Sequence, residues 1–206
     1  SCISVRERSG RDIVKQLTGR DVQVLIDPTM MLTKEKWLEI SRPPNKKPSA
    51  QYLLTYYLGD VSDEKYNWLR NITTKYGLTI INLAKVDDRE YYSADPAQFI
   101  YYIKHCTMFC TDSFHGVVFS ILFEKPFVVF ERNSKTPSMN SRIDTILSKF
   151  KLEERKWDKI VEKDDAMSID YSHVPEILEK ERIKTYDYLK KSLKLGDADS
   201  IMRINQ

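Results

Sequence analysis

The sequence predicts an α/β fold: a mainly parallel sheet with helices on both faces. Two observations carry this. Apolar, β-rich runs alternate with runs of helical period along the 206 residues. Helix start and stop signals also fall where that alternation needs them, with Ser62 and Asp95-Pro96 opening helices and Gly19 and Gly77 closing them.

The first element is a strand, Cys2-Ile3-Ser4-Val5, which opens without a lead-in and reads as a chain cut from something larger. After a turn at Arg8-Ser9-Gly10, the spacing of Ile13, Val14 and Leu17 predicts a helix. A second strand, residues 22–26, closes at Asp27-Pro28, so that residues 1–32 form one β-α-β unit. Residues 33–50 change character. Arg42-Pro43-Pro44-Asn45-Lys46-Lys47-Pro48-Ser49 holds three prolines in eight residues, the composition of a stiff connector.

Alternation then resumes. A strand over 52–58 leads through Gly59-Asp60 to a helix with Tyr66, Leu69 and Tyr76 on its apolar side, and a strand at 79–83 follows. Asp95-Pro96-Ala97-Gln98 has the form of a capping box and predicts a helix burying Phe99, Ile100, Ile103 and Cys106. Next come a short strand at 108–110, a sharp turn Thr111-Asp112-Ser113, a helix over 114–123 and a strand at 126–130. A loop at 133–139, a helix at 141–150 and a long final helix over 172–193 complete the chain.

Composition narrows the function classes. With 41% hydrophobic and 31% charged residues, the chain is globular rather than disordered. Its longest apolar stretch, 114–123, is far shorter than the roughly 20 residues of a membrane span, and no transmembrane segment is expected. The N-terminus lacks the features of a signal peptide. Thirty-three basic against 30 acidic residues leave a net charge of +3, too thin a margin for a nucleic-acid partner. Three cysteines without framework spacing suggest a reducing compartment. Cys106 and Cys110 have no further ligands nearby, so no metal site is expected.

Parallel sheets bind ligands beyond the carboxyl ends of their strands. The most informative segment there is Thr111-Asp112-Ser113-Phe114-His115-Gly116. Asp112 or Ser113 caps a helix whose free N–H groups favour an anion, His115 stands in the first turn, and Gly116 presents no side chain to an approaching ligand. An imidazole there can donate to the anion or move a proton. The same residues serve equally as ordinary caps and a packed histidine. Arg6 ends the first strand, where a guanidinium can hold a carboxylate or phosphate or lie in a solvated basic patch with Arg8 and Arg11. Asp27-Pro28 and Gly59-Asp60 read as turn chemistry. Tyr91-Tyr92 and Tyr101-Tyr102 suit either a sugar face or the core. No G-x-G-x-x-G or Walker-type loop occurs.

Taken in order, Ile3-Ser4-Val5-Arg6, Asp27-Pro28, Asp95-Pro96-Ala97-Gln98-Phe99, Thr111-Asp112-Ser113-Phe114-His115-Gly116-Val117-Val118-Phe119-Ser120-Ile121, Lys125-Pro126-Phe127 and Asn140-Ser141-Arg142-Ile143 resemble the polysaccharide pyruvyl transferase family over about residues 2–155. The resemblance implies Rossmann-like domains in a GT-B-like two-domain architecture, of which this chain is the C-terminal half. Residues 1–40 would be a remnant of the N-terminal domain, 41–50 a linker, 51–170 the donor-binding domain, 171–195 a terminal helix crossing back, and 196–206 a tail.

It further implies transfer of the pyruvyl group of phosphoenolpyruvate to a sugar as a ketal, with release of phosphate. The setting would be exopolysaccharide or cell-surface polysaccharide biosynthesis. No cofactor is implied, because phosphoenolpyruvate is the donor substrate. The acceptor would be a sugar or lipid-linked oligosaccharide, and the location cytoplasmic, peripheral to the inner face of the membrane. His115 carries over as the catalytic residue, and Arg6, Asp112, Ser113, Gly116 and Arg142 as substrate contacts. Where some members have an arginine two residues before the histidine, this chain has Ser113, and Arg142 or Arg132 is expected to compensate. Two alternatives stand beside this: a GT-B glycosyltransferase using a nucleotide sugar, and a noncatalytic anion- or sugar-binding domain.

Overall fold

Strand pairing sets the architecture. In the computed structural model, which describes residues 2–86, 89–132, 138–163 and 165–195, two sheets are present. β1 (Ser4–Val5) and β2 (Gln23–Val24) pair in parallel, joined by α1 (Arg8–Thr18). The larger sheet is also parallel, in the order β4 (Thr79–Asn82), β3 (Tyr52–Tyr56), β5 (Met108–Thr111), β6 (Phe127–Val129). The chain is therefore α/β with a parallel sheet flanked by helices.

Side chains of the larger sheet alternate between two cores. Tyr52, Leu54, Phe109, Phe127 and Val129 face one, with Ile100 and Ile103 of α5 (Pro96–His105), most of α6 (Phe114–Leu122), and Ile143 and Leu147 of α7 (Ser138–Phe150). Leu53, Met108, Cys110 and Val128 face the other, against Leu69 and Ile72 of α3 (Asp63–Tyr76) and Ile160 of α8 (Trp157–Ile160). Burial on both faces explains why these strands read as continuous apolar runs. Ile26 and Met30, which follow β2, sit in the first of these cores, so the small sheet and the large one share packing.

The caps are those of the sequence. Ser62 accepts from the Lys65 N–H and Gly77 closes α3 at φ 63°. Asp95 and Gln98 complete a reciprocal capping box, with Pro96 at the first position of α5.

The structure adds helices that periodicity did not predict. α2 (Lys34–Ile40) lies within the expected connector, capped by Thr33 and held by Trp37, whose indole donates to the Thr29 carbonyl and packs edge-on against Phe119. Seven residues with so few apolar contacts are too short for an amphipathic signal. The turn α4 (Arg89–Tyr92) and the helix α8 are shorter still. α7 starts at Ser138, earlier than expected. Residues 133–137 of the expected loop and the 196–206 tail lie outside the described residues. On α1, Ile13 and Leu17 are exposed and no residue is buried.

α9 (Val174–Leu193) packs on α7 and on the single turn at Pro28–Met31. Arg182 donates to the carbonyls of Met30 and Leu32, Lys184 to that of Val24, and Glu181 pairs with Lys149. Among the described residues, no helix is long and apolar enough to cross a membrane.

Candidate functional site

The strand order has a consequence for ligands. The chain passes from β3 outward to β4, then crosses back over β3 to place β5 on its other side, so the connections diverge between β3 and β5. A crevice opens at the carboxyl end of such a switch point. The structure has one there, a cleft of about 710 Å³ lined by Tyr56, Leu58, Tyr92, Phe99, Ser113 and His115 among others. This is within the usual size of small-molecule sites.

Two interactions shape the floor. The Thr111 hydroxyl donates to the Tyr56 carbonyl at 2.6 Å and accepts from the Ser113 N–H, tying the ends of β3 and β5 together. The Asp112 carboxylate accepts from the Leu58 and Gly59 N–H groups, each at 2.8 Å, and from the Arg132 guanidinium at 3.0 Å. These bonds explain why β3 stops at Tyr56 rather than running to residue 58, because its next N–H groups turn to the carboxylate. Gly59 is required at this point: a Cβ there would come within 2.6 Å of the Arg132 side chain. Arg132 is thus committed to Asp112.

Ser113 caps α6, its hydroxyl accepting from the Gly116 N–H at 3.4 Å. All of α6 is buried except His115. A half-exposed imidazole on an otherwise buried helix is held in place by its neighbours while its ring stays open to the cleft. Its ring packs edge-on against Phe114. Gly116 points the other way. A Cβ on it would meet the Thr111 side chain at 2.9 Å and Phe109 at 3.0 Å, so the glycine lets α6 lie close on β5. The sequence had suggested an opening toward a ligand; the structure gives helix–strand packing as the reason for the residue.

Arg6 and His115 meet at a group the sequence marked only as turn chemistry. Asp27 does cap the turn after β2, accepting from the Thr29 N–H at 2.9 Å. Its carboxylate also accepts from Arg6 at 2.5 Å and lies 3.9 Å from His115 Nε2. Burial works to raise the Asp27 pKa, but the bonds from Thr29 and the Arg6 guanidinium outweigh it and hold the carboxyl below its usual range. Arg142, half-buried on α7, has its guanidinium carbon 5.6 Å from the centre of the Phe114 ring, next to His115 in the chain.

The predicted residues are therefore split. His115 and Ser113 line the cleft, Arg6 reaches His115 through Asp27, and Arg142 stands behind Phe114. Asp112 and Gly116 lie beneath, bonded or packed within the fold. Of the aromatic wall of Tyr56, Tyr92 and Phe99, the sequence offered only Tyr92 as a sugar face; Tyr56 and Phe99 read as strand and buried helix positions, because the wall is assembled from three elements. Tyr102, by contrast, is fully buried. His105 contacts the Tyr101 carbonyl and His173 that of Phe150.

The family model described as polysaccharide pyruvyl transferase matches residues 1–134. That span holds Arg6, Asp27, Asp112, Ser113, His115 and Gly116 but not Arg142. No curated protein and no solved structure matches the chain significantly.

Proposed function

The chain belongs to the polysaccharide pyruvyl transferase family, and from that premise we propose that its site binds phosphoenolpyruvate and transfers the pyruvyl group to a sugar as a ketal. The observation that carries this is His115, the one exposed residue of a buried helix, standing at the carboxyl end of the sheet with Arg6 at its edge.

The donor is a small dianionic phosphate with a carboxylate. The α6 N-terminus, the imidazole and Arg6 supply donors and positive charge for such a group, with Arg142 as a further contact. The acceptor ring lies on the aromatic wall of Tyr56, Tyr92 and Phe99, whose apolar faces suit the C–H face of a sugar. In the reaction, two sugar hydroxyls add to C2 of the enolpyruvyl group and the C2–O bond to phosphate breaks. One hydroxyl proton goes to C3, making the methyl group, and the other leaves on phosphate. In this reading His115 takes a hydroxyl proton and returns one, and the donor itself supplies the reacting group without a cofactor.

The fold supports a GT-B-like reading, with residues 1–40 and 51–170 as parts of two Rossmann-like units divided at 41–50. The approach of Asp27, after β2, to His115 on α6 is the contact between the two parts that supports this reading. Phosphoenolpyruvate is made in the cytoplasm, so action there on a sugar or lipid-linked oligosaccharide at the inner membrane face fits this chemistry, in exopolysaccharide or cell-surface polysaccharide synthesis.

Ligand-induced thermal stabilisation tests the reading, since binding to the folded state raises its apparent stability. Phosphoenolpyruvate is expected to raise the midpoint of the wild type and not that of His115→Ala. A rise with UDP-glucose or GDP-mannose and none with phosphoenolpyruvate would replace the donor with a nucleotide sugar.

A further inference from the structure

Among the described residues, Asp27 reaches both Arg6 and His115. It comes from the end of β2, far in sequence from α6, and its side chain is 2% exposed while that of His115 is 51% exposed. Turn capping alone needs only one acceptor, which Thr29 uses. The other two approaches are from a cation and an imidazole. Arg6 lies on Oδ2, and His115 Nε2 stands 3.9 Å from Oδ1. At that distance there is no direct hydrogen bond; the interaction is between charges or through one water.

The geometry points to Asp27 as a positioning residue, which divides one buried carboxylate between the donor-anion contact Arg6 and the proton-transferring His115. This rests on the proposed function above. When His115 takes a proton from a hydroxyl, its ring becomes a cation, and the nearby fixed negative charge favours that state without itself taking the proton. The same carboxylate keeps the Arg6 guanidinium at the edge of the site instead of loose in solvent. Arg6 and His115 then compete for one negative charge. Removing Arg6 leaves more of it for the imidazole, and neutralising Asp27 leaves none.

The competition makes a signed test. In the full chain with ¹⁵N-labelled histidine, the His115 ring resonances at fixed near-neutral pH are expected to move toward the neutral imidazole in Asp27→Asn and toward the imidazolium in Arg6→Ala. Asparagine keeps the oxygen that caps Thr29, so the turn survives. Arg6→Ala does not touch the turn and serves if Asp27→Asn fails to fold. A residue that only holds the turn would leave the ring unmoved in both variants, or move it the same way, and either result overturns the proposal.

A binding cycle completes the test. Phosphoenolpyruvate affinity of the wild type, Asp27→Asn, His115→Ala and the double variant is expected to show a coupling of about twofold or more, the lower end for residues in contact. Strict additivity overturns the proposal. If the wild type binds no phosphoenolpyruvate while the ring shows opposite shifts, the donor assignment fails and the shared carboxylate stands. If it binds and the ring is unmoved, the reverse holds.

Discussion

Two buried aspartates at strand ends, Asp112 after β5 and Asp27 after β2, have opposite fates. Their exposures are nearly equal, 6% and 4%. Asp112 is saturated: two backbone N–H groups and a largely buried arginine occupy its oxygens, and they fix the loop at Leu58 and Gly59. Asp27 has a backbone N–H and an arginine that is 43% exposed, and it faces a half-exposed imidazole. Burial alone thus does not mark a functional carboxylate. The exposure and chemistry of its partners do.

If that contrast is right, substitutions on the Asp27 side change chemistry and those on the Asp112 side change stability. The largest effect is expected from His115→Ala. Loss of a general acid–base should slow pyruvyl transfer by roughly 10²–10⁴, with an unchanged thermal midpoint. Kinetics and calorimetry on one preparation check both halves.

Asp112→Ala should do the opposite. It leaves the Arg132 charge without its partner and two N–H groups without an acceptor, a loss of about 3 kcal/mol in urea unfolding. Near-normal stability would break the comparison. Gly116→Ala forces a methyl group against Thr111 and should cost about 1–3 kcal/mol. It sharpens the contrast because it lies beside His115 yet acts through packing. Asp95→Ala, at the start of α5, removes the capping box and should lower the urea midpoint by less than Gly116→Ala does.

The smallest effect is in acid. Asp27 has a folded pKa below its unfolded value, so between the two the unfolded chain binds more protons. Its contribution to stability is fully present above the unfolded pKa, near 3.8, and is lost as pH falls through the lower folded value. Urea midpoints of the wild type should therefore fall more steeply below about pH 4 than those of Asp27→Asn.

The sequence carried the order of strands and helices because each signal was local: Asp95 with Gln98, Ser62 before α3, Gly77 after it. The short helix α2 was not legible, since its stability comes from Trp37 reaching Thr29 and Phe119. At the site, the strand–turn–helix around His115 was legible for the same local reason. The join between Asp27 and His115 was not, because nothing near either residue announces it; it exists only once the turn after β2 packs beside the first turn of α6. Nor could spacing show that Arg132 is spent on Asp112, which leaves Arg6 and Arg142 as the cations proposed for the donor.

The most direct test compares two arginines, each paired to one of the two aspartates. Phosphoenolpyruvate dissociation constants and thermal midpoints would be measured for Arg6→Ala and Arg132→Ala. Arg6→Ala should bind the donor at least about tenfold more weakly, a difference of about 1.4 kcal/mol, and melt below the wild type by less than Arg132→Ala does, because the half-exposed Arg6 is the smaller loss and the Thr29 N–H still holds Asp27. Arg132→Ala should melt lower and, where folded, bind nearly normally. Full affinity in Arg6→Ala together with lost affinity and a normal midpoint in Arg132→Ala would contradict the account.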